Sequence, residues 1–179
     1  MIVRKRNSAE NWLVYHASTG NTGATLLNGT NAFFEDNMWN STSPTSSVFT
    51  VHGGAGANAS GGTYIAYCFT DVKGYSKFSS YIGNGNADGA FVYTGFKSAF
   101  VMIKKTSGTG NWCLFDNKRG VNGAMIQLNP DVNNADNTSN YIDFLSNGFK
   151  CRNTASDKNA SGGSYIYMAF AENPFVTST

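Results

Sequence analysis

Acidic residues are the first place to look for chemistry in this chain, and they are few and scattered. The only glutamates are Glu10, Glu35 and Glu172, and none has a carboxylate partner at the alternating spacing that sets two acids across a sugar ring. Glu35 and Asp36 are adjacent, so on a strand they would point to opposite faces. No serine lies in a Gly-x-Ser-x-Gly turn, and His16 and His52 have no local sign of a triad. The histidines are not spaced as a metal pair, and Cys68, Cys113 and Cys151 form no Cys-x-x-Cys. Buried, small hydrophobes are the expected role of Cys68 and Cys113. The segment 131–136 (DVNNAD) is rich in oxygen donors but lacks the regular spacing of a calcium loop. We therefore expect no enzyme, no catalytic residue, no metal ligand set and no cofactor, with structural calcium left open.

Binding chemistry has three candidates. Trp39, with Asn40 beside it, stands among polar residues in 35–41 (EDNMWNS), as an aromatic that stacks on a pyranose would. The competing reading is that Trp39 caps the end of the core. Asp116, Lys118 and Arg119 form a dense charged cluster, read either as a ligand site or, more simply, as an ion pair closing a hairpin. The third candidate is the basic strand Ile2, Val3, Arg4 and Lys5, read as an assembly edge. A formal net charge of +2 is too small to imply nucleic acid. No apolar run is long enough for a membrane-spanning helix. The loop Gly83-Asn84-Gly85-Asn86 has no helix after it, so a phosphate cradle is not expected.

Positioning these residues falls to β-strands. Apolar stretches are short, rich in β-branched and aromatic residues, and bounded by Gly, Asn, Ser or Asp. The pattern predicts strands at 63–69, 99–104, 112–116, 141–145 and 164–170, with 12–16, 47–52, 75–81 and 90–93 close behind. No sustained helical period exists. Turn pairs that favour positive φ fall at Asn28-Gly29, Gly61-Gly62, Asn84-Gly85, Asp88-Gly89, Asn122-Gly123, Asn147-Gly148 and Gly162-Gly163.

The order of features occurs twice, roughly a hundred positions apart, which points to a tandem duplication. Asn11-Trp12-Leu13-Val14-Tyr15 answers to Asn111-Trp112-Cys113-Leu114-Phe115, and Ile2-Val3-Arg4-Lys5 to Met102-Ile103-Lys104-Lys105. Near the ends, 47–51 answers to 147–151, and 58–65 (NASGGTYI) to 159–166 (NASGGSYI). The expectation is one all-β domain over 1–179, an antiparallel β-sandwich of jelly-roll type. Repeat one covers about 1–72, linking strands 73–98, repeat two 99–175 and a short tail 176–179. Trp12 and Trp112 would be matched core plugs.

The run Gly83-Asn84-Gly85, Asp88-Gly89, 91–96 (FVYTGF) and 100–104 (FVMIK) resembles a domain of unknown function found in tail-fibre and other structural proteins of tailed bacteriophages. The similarity continues through Asn111-Trp112, Asp116 with Arg119, 146–150 (SNGFK) and 165–175 (YIYMAFAENPF), covering almost the whole chain. It implies a concanavalin A-like or SPRY-like sandwich and a place in the virion, as a fibre, appendage or decoration domain. Partners implied are other virion proteins and further copies in a homo-oligomer. A carbohydrate-binding module for bacterial surface glycans is the alternative. The resemblance supplies no catalytic residues. Relatives carry, before the first basic strand, a further stretch like residues 81–100. We therefore expect an unpaired strand edge near Ile2 to Lys5, covered by a neighbouring chain.

Overall fold

The computed structural model describes residues 1–121, 124–138 and 141–175, and these form an all-β fold with antiparallel sheets and almost no helix. In chain order the strands are β1 (Ile2–Lys5), β2 (Leu13–Val14), β3 (Gly23–Leu26), β4 (Phe34–Glu35), β5 (Tyr64–Tyr67), β6 (Ser76–Ile82) and β7 (Phe91–Tyr93). They continue with β8 (Ser98–Lys105), β9 (Trp112–Asp116), β10 (Gly120–Val121), β11 (Ala124–Met125), β12 (Ile142–Leu145), β13 (Gly148–Cys151) and β14 (Ser164–Ala171). One helical turn, α1 (Ser156–Asn159), precedes β14.

The strands form a five-stranded sheet in the order β4-β3-β2-β1-β5, a four-stranded sheet β6-β14-β8-β9, a three-stranded sheet β12-β13-β7 and the hairpin β10-β11. Strand alternation determines how they stack, because successive side chains leave opposite faces. On the four-stranded sheet Val101, Ile103, Cys113, Phe115, Tyr165 and Tyr167 pack with Val92, Ile142 and Phe149 of the three-stranded sheet. Their sequence neighbours Met102, Trp112 and Ile166 pack the other way, with Val14 and Ile2 of the five-stranded sheet. The four-stranded sheet is therefore the middle layer, apolar on both faces. The outer face of the five-stranded sheet is closed by Val3, Leu13 and Ala24 under Trp39 and Ala57, which come from the long segment between β4 and β5.

Register is the same in the two larger sheets. Ile2, Val3, Arg4 and Lys5 lie opposite Tyr67, Ala66, Ile65 and Tyr64. Met102, Ile103, Lys104 and Lys105 lie opposite Met168, Tyr167, Ile166 and Tyr165. On the other side Val3 faces Leu13 as Ile103 faces Cys113. Loop bonds follow the same plan: Tyr64 Oη donates to Ala55 O at 2.7 Å and accepts from Ala59 N at 2.9 Å, while Tyr165 Oη donates to Ser156 O at 2.7 Å and accepts from Ala160 N at 2.8 Å.

The expected strand at 47–52 does not form, although 148–151 does. β13 has β12 on one side and β7 on the other, whereas residues 41–52 contain turns and no strand that could share a ladder with Phe49. Phe49 and Val51 still pack on the core beside Trp39. Trp12 and Trp112 also differ: Trp112 is buried, its Nε1 donating to Leu26 O at 2.7 Å, while Trp12 is half-buried. Of the turn glycines, Gly61, Gly85 and Gly162 have positive φ. Gly148 has another reason to lack a side chain, since a Cβ there would sit 2.1 Å from Val92 O. Asn122-Gly123 and the tail 176–179 lie outside the described residues.

Candidate functional site

Trp39 is completely buried, with Nε1 donating to Gly23 O at 2.9 Å and Tyr15 edge-on at 5.6 Å. It has no free face for a sugar, so the glycan role assigned to it is corrected: it plugs the five-stranded half of the core. Its neighbour Asn40 is exposed and sits at φ 49°, inside the turn that follows Asn37. The local sequence misled because polar neighbours can surround a residue whose own side chain points inward.

Asp116, Lys118 and Arg119 come together as a turn. Asp116 Oδ1 accepts from the backbone N–H of Lys118 and of Arg119, both at 2.9 Å. Arg119 Nε pairs with Asp116 Oδ2 at 3.0 Å and its Nη1 approaches Asp136 Oδ2 at 3.5 Å. The ion pair holds the turn after β9 but closes no hairpin, since β9 pairs with β8 and β10 with β11. The other carboxylate of the 131–136 loop faces elsewhere, Asp131 Oδ1 accepting from Trp112 N at 3.2 Å. Among the described residues no three His, Cys, Asp or Glu side chains gather to hold a metal.

β1 is paired on both sides, by β2 and by β5, so the unpaired edge expected at Ile2 to Lys5 is not there. The physical reason is visible in the four-stranded sheet. The strand preceding β8 there, β6, lies beside β14 and not beside β8. β5, which has the register on β1 that β14 has on β8, has no strand in the place of β6 among the described residues. β5 ends the five-stranded sheet, and Ile65, Ala66 and Tyr67 are exposed.

Aromatic and charged side chains line the face beside that edge. Tyr67 stacks on Trp12 with centroids 6.4 Å apart, and the Arg4 guanidinium lies 5.6 Å from the Trp12 ring. Lys104 stands in the same relation to Trp112, at 5.8 Å, but inside the protein. Its Nζ donates to Gly110 O at 2.6 Å and Gly29 O at 3.2 Å, and burial pulls its pKa down to about 8 against the opposing pull of Asp131 and Cys113.

Beyond the end of β5 a groove of about 870 Å³ opens between the 44–49 loop and residues 68–71, with His16 and the chain start in its wall. His16 Nδ1 accepts from Ser18 N at 3.2 Å, which leaves Nε2 to donate to Tyr167 O at 3.2 Å. Burial lowers the His16 pKa, with the Tyr167 carbonyl working against it. The ring is thus held neutral and serves the packing of the layers.

The densest buried polar cluster is also internally satisfied. Lys158 Nζ donates to Gln127 Oε1 and Asp157 Oδ1, each at 2.7 Å, and lies 4.0 Å from the centre of the Tyr141 ring. Cys113 Sγ is 3.3 Å from Asp157 Oδ2, and burial raises the thiol well above its ordinary pKa. Such a thiol is a poor nucleophile. Sequence reasoning did not anticipate this cluster, because its members lie on α1, β9 and the loop after β11.

These features define an all-β antiparallel fold whose two buried lysines are satisfied inside the protein, Lys158 by Gln127 and Asp157 and Lys104 by the carbonyls of Gly110 and Gly29. The family model described as Domain of unknown function (DUF7483) matches residues 1–174, and the chain belongs to that family. No curated protein and no solved structure matches it.

Proposed function

We propose that this chain is a structural module of a bacteriophage particle, a fibre, appendage or decoration domain at the virion surface. The observation that carries the reading is the edge of β5, which ends the five-stranded sheet with Ile65, Ala66 and Tyr67 exposed and no charged residue along it. A sheet edge without cover or charge is a place where another polypeptide adds a strand. The Lys158–Asp157 ion pair and the buried thiols of Cys113 and Cys151 serve packing, which fits a building element better than a catalyst. The common register of the two larger sheets supports an internal duplication, and the face-to-face packing of layers supports a sandwich. Quantitative mass spectrometry of purified particles tests the function. The chain is expected in fixed stoichiometry to the major virion proteins, and its absence from intact particles would refute the reading.

Glycan recognition is the second reading, and it now rests on Tyr67. Tyr67 is 44% exposed and lies beside Trp12, with the Arg4 guanidinium over the Trp12 ring. A glycan array probed with wild type and Tyr67→Ala separates the two roles. Binding lost on that substitution supports recognition; uniform silence removes it.

A further inference from the structure

Hydrogen-bond geometry shows which backbone groups of β5 point away from β1. Arg6 N donates to Thr63 O at 2.7 Å, so Thr63 is bonded toward β1. Antiparallel ladders alternate, which directs Ile65 and Tyr67 to β1 as well and turns the N–H and C=O of Tyr64, Ala66 and Cys68 outward. In the matched strand β14 the corresponding outward residues, Tyr165, Tyr167 and Ala169, lie opposite Tyr81, Ser79 and Lys77 of β6. No strand stands in that place beside β5 among the described residues.

Sheet edges that face water are usually guarded by charge, proline or a covering loop. The outer edge of β6 is guarded: Asp71 Oδ1 accepts from Phe78 N at 2.7 Å, and the Asp71 carboxylate also pairs with Lys77. The two-residue strand β4 ends in exposed Glu35, with Asp36 next to it. β5 differs from both, since residues 63–70 (TYIAYCFT) contain no charged residue and no proline.

The sequence of this edge is complementary to itself. An antiparallel partner strand centred on Ala66 sets Ala66 opposite Ala66 and places Ile65 opposite Tyr67 twice, on the face where both are exposed. Aromatic with β-branched is a favourable cross-strand pair, and no charge opposes another anywhere along it. A two-fold contact of this kind closes after two copies and leaves no edge to propagate. We propose that β5 of a second copy of this chain occupies the edge, pairing antiparallel about a two-fold axis at Ala66 and joining two five-stranded sheets into one. The proposal rests on the assembly reading above and names its partner.

Sedimentation velocity of the full chain over a range of concentrations tests it, with Ala66→Pro as the decisive variant. The Ala66 N–H faces outward, so proline there removes a donor from the edge without removing one from the β1 ladder. Wild type is expected to dimerise, Ala66→Pro to stay monomeric with unchanged circular dichroism, and Ser80→Pro, outward on the guarded edge of β6, to dimerise like wild type. Amide exchange on wild type gives a check that needs no variant: Ala66 and Cys68 should slow as concentration rises through dimerisation. A wild type that is monomeric throughout, a folded Ala66→Pro that still dimerises, or exchange at Ala66 and Cys68 independent of concentration would each overturn the pairing. A monomer in solution that nevertheless copurifies stoichiometrically with particles would overturn self-pairing alone and leave the virion reading standing.

Discussion

Tyr64 and Tyr165 hold the same place in matched strands and make the same pair of loop hydrogen bonds, yet only Tyr165 has a ring from a flanking strand lying on it. Tyr81 of β6 stacks there at 5.0 Å and 16°. Tyr64 has no such strand at its side among the described residues. That single difference separates a strand inside a sheet from one at its edge.

The two matched tryptophans should differ in energetic weight. Trp112→Ala removes a buried ring together with the hydrogen bond to Leu26 O and is expected to cost about 3–5 kcal/mol. Trp12→Ala, losing a half-buried ring and its contact with Arg4, is expected to cost about 1–2 kcal/mol. Urea unfolding of both variants checks the order, and equal losses would contradict the layer assignment.

Trp39→Phe tests the corrected role of Trp39. The change strands Gly23 O in the core and leaves a small void, so a loss of about 1–3 kcal/mol is expected. Thermal unfolding that matched wild type would mean the ring is not where the core needs it.

Acidification should weaken the fold through His16. Its folded pKa lies below the ordinary 6.5, so between that lowered value and 6.5 the unfolded chain binds more protons than the native one. Stability contributed by the neutral ring is therefore present above pH 6.5 and lost as pH falls through the folded value. Protonation would also break the bond that Nδ1 accepts from Ser18 N. Denaturation midpoints measured from pH 7.5 to 5 should fall less steeply in His16→Gln than in wild type; identical slopes would contradict this.

Lys104 acts on the alkaline side with the same sign. Its folded pKa is about 8 against 10.5 when free, so the unfolded state again holds the extra proton in that window. The stability of wild type relative to Lys104→Met should rise as pH goes from 8 to 10.5. A difference that stays flat across this range would show that Lys104 is not desolvated.

Long, strongly patterned strands were legible in the sequence. The segment 112–116 matches β9 to the residue, and 99–104 and 164–170 lie inside β8 and β14, because buried aromatics and β-branched residues bounded by glycine leave little choice of conformation. The segment 47–52 misled, since a strand needs neighbours and periodicity in one segment carries no information about them. β3 and β4 went unread because Gly23-Ala24-Thr25-Leu26 and Phe34-Glu35 are too short to alternate. The open edge expected at Ile2 to Lys5 is not there, because which strand ends a sheet depends on the neighbours each strand takes. That is a long-range fact, as the pairing of β6 with β14 shows.

The most direct test of the central claim is a cryo-EM map of the particle that carries this chain. The domain is expected in symmetric, stoichiometric positions at the particle surface, with a strand from another polypeptide running antiparallel alongside β5. A particle without the domain, or one in which the β5 edge faces open solvent in every copy, would contradict it.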